Sequence, residues 1–124
     1  MNDLMVIQTA QGVARYVLAQ AGDQPPEPVG GKRPAEPIKW QAVIGYDHRS
    51  TEKWGLSSER FARLTAAVFE KAGIEPLLLA GFVPTPLVAF ATKSGPNVLA
   101  GIMVTASHNP AADNVNPSVV VCML

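Results

Sequence analysis

A three-layer α/β/α fold around a mostly parallel sheet is predicted by three observations. Short apolar runs of strand length alternate with stretches whose apolar residues recur every three to four positions. Glycine or proline punctuates nearly every change from one pattern to the other. The runs at 40–44, 77–79 and 100–106 are predominantly apolar, with Gln41 and Thr105 the polar exceptions, as expected of strands buried on both faces.

Along the chain, Val6, Ile7, Ala10, Val13, Ala14, Val17 and Leu18 recur at helical spacing, predicting an amphipathic helix over 2–18. Asn2 or Asp3 caps it, and Gly22 follows its end. Gly12 costs roughly 1 kcal/mol relative to alanine inside a helix, so a close packing contact is expected there. Residues 20–37 hold five prolines and three glycines and predict a surface loop. Trp40, Ala42, Val43 and Ile44 form the first strand, ended by Gly45. Ser57 or Ser58 caps a helix with Phe61, Leu64, Ala67, Val68 and Ala72 on its apolar side, and Gly73 stops it. Leu77, Leu78 and Leu79 form the next strand. Thr85 is expected to cap a third helix with Pro86 at its first position, turning Leu87, Val88, Phe90 and Ala91 inward. Ala100–Ala106 is the third strand, and it runs straight into Ser107-His108-Asn109-Pro110.

Composition narrows the function classes. Of 124 residues, 48% are hydrophobic and 16% charged, the balance of a packed domain. Lys plus Arg and Asp plus Glu number ten each, so no net field favours nucleic acid or an anionic membrane, and neither is an expected partner. Cys122 is the only cysteine, which excludes an intrachain disulfide and the paired-cysteine metal spacings. No apolar run of about eighteen residues and no leader-like start is present, so a cytoplasmic location is expected.

Ligands of parallel α/β sheets gather beyond the carboxyl ends of the strands. Two polar loops fall there: Tyr46-Asp47-His48-Arg49 and Ser107-His108-Asn109-Pro110. Read from residue types alone, Ser107 is a hydroxyl finishing a buried strand. A Ser-His hydrolase dyad is disfavoured because adjacent side chains leaving a strand point apart. Arg49 is suited to a phosphate oxygen, while Asp47 is expected to fix its loop by accepting backbone N–H bonds. An isolated Asp-x-Arg more often marks a surface ion pair. His108 can orient a phosphate or support the turn; Asn109 and Pro110 have the chemistry of turn formers. Thr85, between two prolines, reads as a cap rather than a ligand.

The segment Gly101-Ile-Met-Val-Thr-Ala-Ser-His-Asn-Pro110 resembles the active-site serine loop of the α-D-phosphohexomutases, which include phosphoglucomutases, phosphomannomutases and related phosphopentomutases. Met1-Asn-Asp-Leu with Val6-Ile-Gln-Thr-Ala-Gln-Gly12, Ile44-Gly-Tyr-Asp-His-Arg49 and Gly81-Phe-Val-Pro-Thr-Pro86 agree in order and spacing. The wording is most similar to the phosphoglucomutase/phosphopentomutase branch. The resemblance covers residues 1–114 as an incomplete amino-terminal domain I without its first strand, leaving 115–124 as a non-family tail.

It implies that Ser107 is carried as phosphoserine and exchanges its phosphoryl group with sugar phosphates and a sugar bisphosphate. Ser107 and His108 are the implied catalytic residues, Arg49 and Asn109 the implied phosphate-binding ones. Mg²⁺ is the implied metal, held through the phosphate on Ser107. A phosphoserine adds about −1.5 to −2 charges and three acceptor oxygens, which suits such a site. The family continues after Asn114 with a glycine, an aromatic residue and a lysine; here Val115-Asn-Pro follows. That lysine, the aspartate-rich metal loop, the sugar-recognition loop and the distal phosphate-binding domain are all missing from the resemblance. The chain is therefore expected to be a fragment of an intramolecular phosphotransferase, truncated in its gene model or by splicing and inactive alone. The alternative is an inactive remnant or interaction domain derived from such an enzyme.

Overall fold

A computed structural model describes residues 2–22, 25, 36–106 and 118–123. Helix α1 spans Asp3–Ala21. The Asn2 side chain accepts the Met5 N–H at 3.0 Å, satisfying one of the free donors of the first turn. Its buried stripe is Val6, Ala10, Ala14 and Val17, and Gly22, at φ +82°, ends it by donating its N–H to the Leu18 carbonyl at 3.0 Å. The expected packing contact at Gly12 is not there: the residue is exposed, and a Cβ on it would meet nothing within 4 Å. Most of the predicted loop at 20–37 lies outside the described residues. Trp40, whose indole N–H donates to the Gly22 carbonyl at 3.0 Å, ties the end of α1 to the strand that follows.

That strand, β1 (Gln41–Tyr46), is buried from Ala42 to Tyr46. A two-residue ladder, β2 (Ser50–Thr51) against β3 (Leu56–Ser57), brackets a 3-10 turn at Glu52–Trp54. Helix α2 spans Ser58–Lys71 and is capped by Ser57, whose hydroxyl accepts the Arg60 N–H at 3.0 Å. Next come β4 (Glu75–Leu78), α3 (Thr85–Thr92), β5 (Val98–Thr105) and β6 (Ser118–Met123). The sheet order is β4-β1-β5-β6. Strand β1 runs parallel to both β4 and β5, while β6 pairs antiparallel with β5 from Ala100 opposite Met123 to Thr105 opposite Ser118. The sheet is thus mostly parallel, as the sequence predicts.

Alternation along the strands sorts the core into two layers. Ala42, Ile44, Ala100, Ile102 and Val104 face α1 and α2, joining Val6, Val17, Phe61 and Phe69. Val43 and Met103 face the other way, against Val83, Val88 and Val98. Helix α3 comes very close to the sheet because β1 and β5 carry glycine beneath it. A Cβ on Gly45 would collide with the side chains of Val88 and Val83, and one on Gly101 with Thr92.

Two helix faces differ from the expected ones. In α2 the buried stripe is Phe61, Ala62, Thr65 and Phe69; Leu64 and Val68 are half-buried, and Ala67 and Ala72 are exposed. Thr65 tolerates burial by donating its hydroxyl to the Phe61 carbonyl at 2.9 Å. In α3 only Val88 and Thr92 are fully buried, Leu87 is 44% exposed and Phe90 70% exposed. Nor does Thr85 cap α3: Pro84 is the N-cap with extended backbone and no side-chain bond, and Thr85 is the first helical residue.

Strand β4 lies at one edge of the described sheet. Its Glu75 N–H donates to the Trp40 carbonyl at 2.7 Å, and the Leu79 N–H just beyond it donates to the Ile44 carbonyl at 2.9 Å. By the alternation of a strand, Pro76 presents its donor-free nitrogen to the other side.

Candidate active site at the strand exits

Parallel pairing brings the carboxyl ends of β4, β1 and β5 to one side of the sheet. Tyr46 lies opposite Val104. The Asp47 N–H carries the ladder one residue further by donating to the Val104 carbonyl at 3.2 Å. The loop after β4 joins them, its Val83 N–H donating to the Tyr46 carbonyl at 3.0 Å. Three chain exits therefore share one edge.

Asp47 is the polar centre of that edge. One carboxylate oxygen accepts the Ser58 hydroxyl at 2.6 Å and the Arg49 backbone N–H at 3.2 Å. The other lies 3.3 Å from Arg49 Nε, and both side chains are largely covered, at 16% exposure for Asp47 and 17% for Arg49. The Thr105 hydroxyl also donates to this carboxylate. Burial alone would push the Asp47 carboxyl up. The Ser58 and Thr105 hydroxyls, the Arg49 N–H and the Arg49 charge outweigh it and hold the group below the usual carboxylate range.

The expectation that Asp47 accepts backbone N–H bonds is met once among the described residues, at Arg49; its other contacts are hydroxyls and a guanidinium. Ser58 is fully buried and also donates its N–H to the Arg49 carbonyl at 2.9 Å, so the start of α2 grips the Asp47–Arg49 loop twice. Asp-x-Arg here forms a covered ion pair at a sheet exit rather than a solvated surface pair. An aromatic group borders it: the Phe82 ring meets Tyr46 edge-on at 5.9 Å and His48 at 6.3 Å.

Of the site residues that the sequence points to, Arg49 is placed on the loop after β1. Ser107, His108 and Asn109 lie outside the described residues, as does Pro110. Thr105 ends β5 two positions before Ser107, and Ala106 is fully buried. Sequence reasoning missed Thr105 and Ser58 as partners of Asp47. A hydroxyl residue at each of two chain junctions was the available signal, but nothing in the sequence says that they converge on one carboxylate. Among the described residues, no group of three or more His, Cys, Asp or Glu could hold a metal ion.

A profile described as phosphoglucomutase/phosphomannomutase, alpha/beta/alpha domain I, matches residues 1–116. The chain belongs to the phosphoglucomutase/phosphomannomutase family. It is similar to the phosphopentomutase of Homo sapiens, at 43% identity over 114 residues, 92% of this chain and 16% of that protein. It is likewise similar to the probable phosphoribomutase of Schizosaccharomyces pombe, at 43% identity over 92% of this chain and 16% of that protein. The glucose 1,6-bisphosphate synthase of Mus musculus is 38% identical over 91% of this chain and 16% of that protein. No solved structure matches. The chain thus spans 16% of the length of these relatives, and the part it covers is domain I of the phosphoglucomutase/phosphomannomutase family. Among the described residues, no helix is long and apolar enough to cross a membrane.

Proposed function

We propose that this chain is the phosphoryl-carrying domain of a cytoplasmic intramolecular phosphotransferase of the phosphoglucomutase/phosphopentomutase type. Ser107 Oγ attacks a phosphoryl group of a sugar bisphosphate. As its new O–P bond forms, the bond from phosphorus to the sugar oxygen breaks, and the hydroxyl proton ends on that sugar oxygen. In the reverse step the phosphoserine gives its phosphoryl group to a sugar phosphate. Arg49 and Asn109 bind phosphate oxygens, and His108 orients the phosphate. Mg²⁺ belongs to this reading as counter-charge for the phosphate on Ser107. Such transfer depends on positioning and charge neutralisation more than on covalent help from the protein.

The observation that carries the reading is the seating of the Asp47–Arg49 turn against the end of β5. The Asp47–Arg49 turn hydrogen-bonds to β5, the strand that leads to Ser107, in a chain that resembles phosphohexomutases there. The test is to incubate the purified chain with glucose 1,6-bisphosphate and Mg²⁺ and to look by mass spectrometry for one added phosphate. A label on Ser107 that Ser107→Ala abolishes is expected.

A second reading, an inactive remnant or interaction domain of such an enzyme, is favoured by one feature: segment 115–124 contains no lysine where the family pattern has one. A folded sample that takes up no phosphate selects it.

A further inference from the structure

We infer that Asp47 is a positioning residue for phosphoryl transfer at Ser107, orienting the Arg49 guanidinium and the end of β5 from a single carboxylate. This rests on the reading of Ser107 given above. The carboxylate touches three separate pieces of chain. Its own loop contributes Arg49, through the backbone N–H at 3.2 Å and Nε at 3.3 Å. The first residue of α2 contributes the Ser58 hydroxyl at 2.6 Å, in the short range of a charge-assisted bond. The last residue of β5 contributes the Thr105 hydroxyl.

Each contact constrains a different motion. The Ser58 bond holds the carboxylate to a rigid helix start. The pairing at Nε restricts the rotation of the Arg49 guanidinium. The Thr105 bond fixes the strand end two residues before Ser107. Reacting groups displaced by about 1 Å lose about a hundred-fold in rate, so a carboxylate that sets both an arginine and a strand exit acts on the reaction without touching substrate.

The experiment uses the intact chain and three variants. Asp47→Asn keeps the shape and removes the charge. Thr105→Val keeps the volume and removes the hydroxyl; Thr105→Ser restores it. The rate of Ser107 labelling by glucose 1,6-bisphosphate is measured with melting curves alongside, together with the water-exchange rate of the Arg49 Nε–H proton by NMR. Asp47→Asn and Thr105→Val should slow labelling by about 10- to 100-fold. Thr105→Ser should label like wild type, and Asp47→Asn should accelerate the Arg49 exchange. Wild-type labelling rates in folded Asp47→Asn or Thr105→Val overturn the inference, and either variant suffices if the other fails to fold. If the wild-type chain takes no label, the reading of Ser107 fails instead. The Arg49 exchange then decides only whether Asp47 orients the guanidinium: unchanged exchange in Asp47→Asn overturns that, and accelerated exchange upholds it with no bearing on phosphoryl transfer.

Discussion

Thr92 of α3 stands directly over Gly101 of β5, with its hydroxyl oxygen where a side-chain carbon on that glycine would lie and Val88 Cγ1 within 3.1 Å of the same point. Thr92 is 1% exposed and donates its hydroxyl back to the Val88 carbonyl at 2.7 Å. The helix sits this low only because β5 lacks a side chain beneath it. Gly101→Ala should therefore lift α3 and lower stability by about 1–3 kcal/mol, the usual cost of overpacking, read as a lower urea midpoint. A midpoint equal to wild type would show that α3 gives way without penalty.

Gly12 is the opposite case. Exposed in mid-helix with open space around it, it carries only the backbone entropy cost of glycine. Gly12→Ala should raise stability by about 0.5–1 kcal/mol, read from the same denaturation curves.

Asp47 sets an acid limit on the fold. Its carboxyl ionises more readily in the folded chain than in the unfolded one, so it contributes stability above the ordinary carboxylate pKa of about 4. That contribution is lost as pH falls from there through the lower folded value. Urea midpoints taken from about pH 7 to about pH 3 should fall more steeply for wild type than for Asp47→Asn, so that the gap between the two curves narrows toward the acid end. Parallel curves would mean that the carboxylate is not linked to folding.

Phe69 and Phe90 share a side chain but not an environment. Phe69 is fully buried and Phe90 is 70% exposed. Phe69→Ala should cost about 3–5 kcal/mol, and Phe90→Ala should stay within about 0.5 kcal/mol of wild type in the same assay.

The helices and parallel strands are legible in the sequence because their signals are local. Asn2 and Ser57 cap as expected, and the apolar runs fall in β1, β4 and β5. Faces are harder to read. Leu87, Val88, Phe90 and Ala91 make α3 apolar on most sides, so spacing cannot single out the sheet-facing stripe of Val88 and Thr92. The signal lies in two glycines on other elements, Gly45 and Gly101, which open the space above β1 and β5. Thr85 has the sequence of a cap because a residue before proline avoids the helical region, yet it begins the helix with Pro84 in the cap position. Glu75 and Pro76 conceal the start of β4, since neither favours strands. Strands β2 and β3, at two residues each, are too short to show a period, and β6 lies beyond residues 1–116, which the family profile matches. At the site, Arg49 is recognisable from its place after a strand. The convergence of Ser58 and Thr105 on Asp47 depends on contacts between residues far apart in sequence.

Pro76 bears on how these chains behave in company. A newcomer strand laid along β4 would look for a donor at that residue and find a ring carbon instead, so the rungs it could form would be interrupted midway. Concentrated samples thus meet a built-in obstacle to ribbon-like stacking on that flank, set by one imino acid in a strand of four residues.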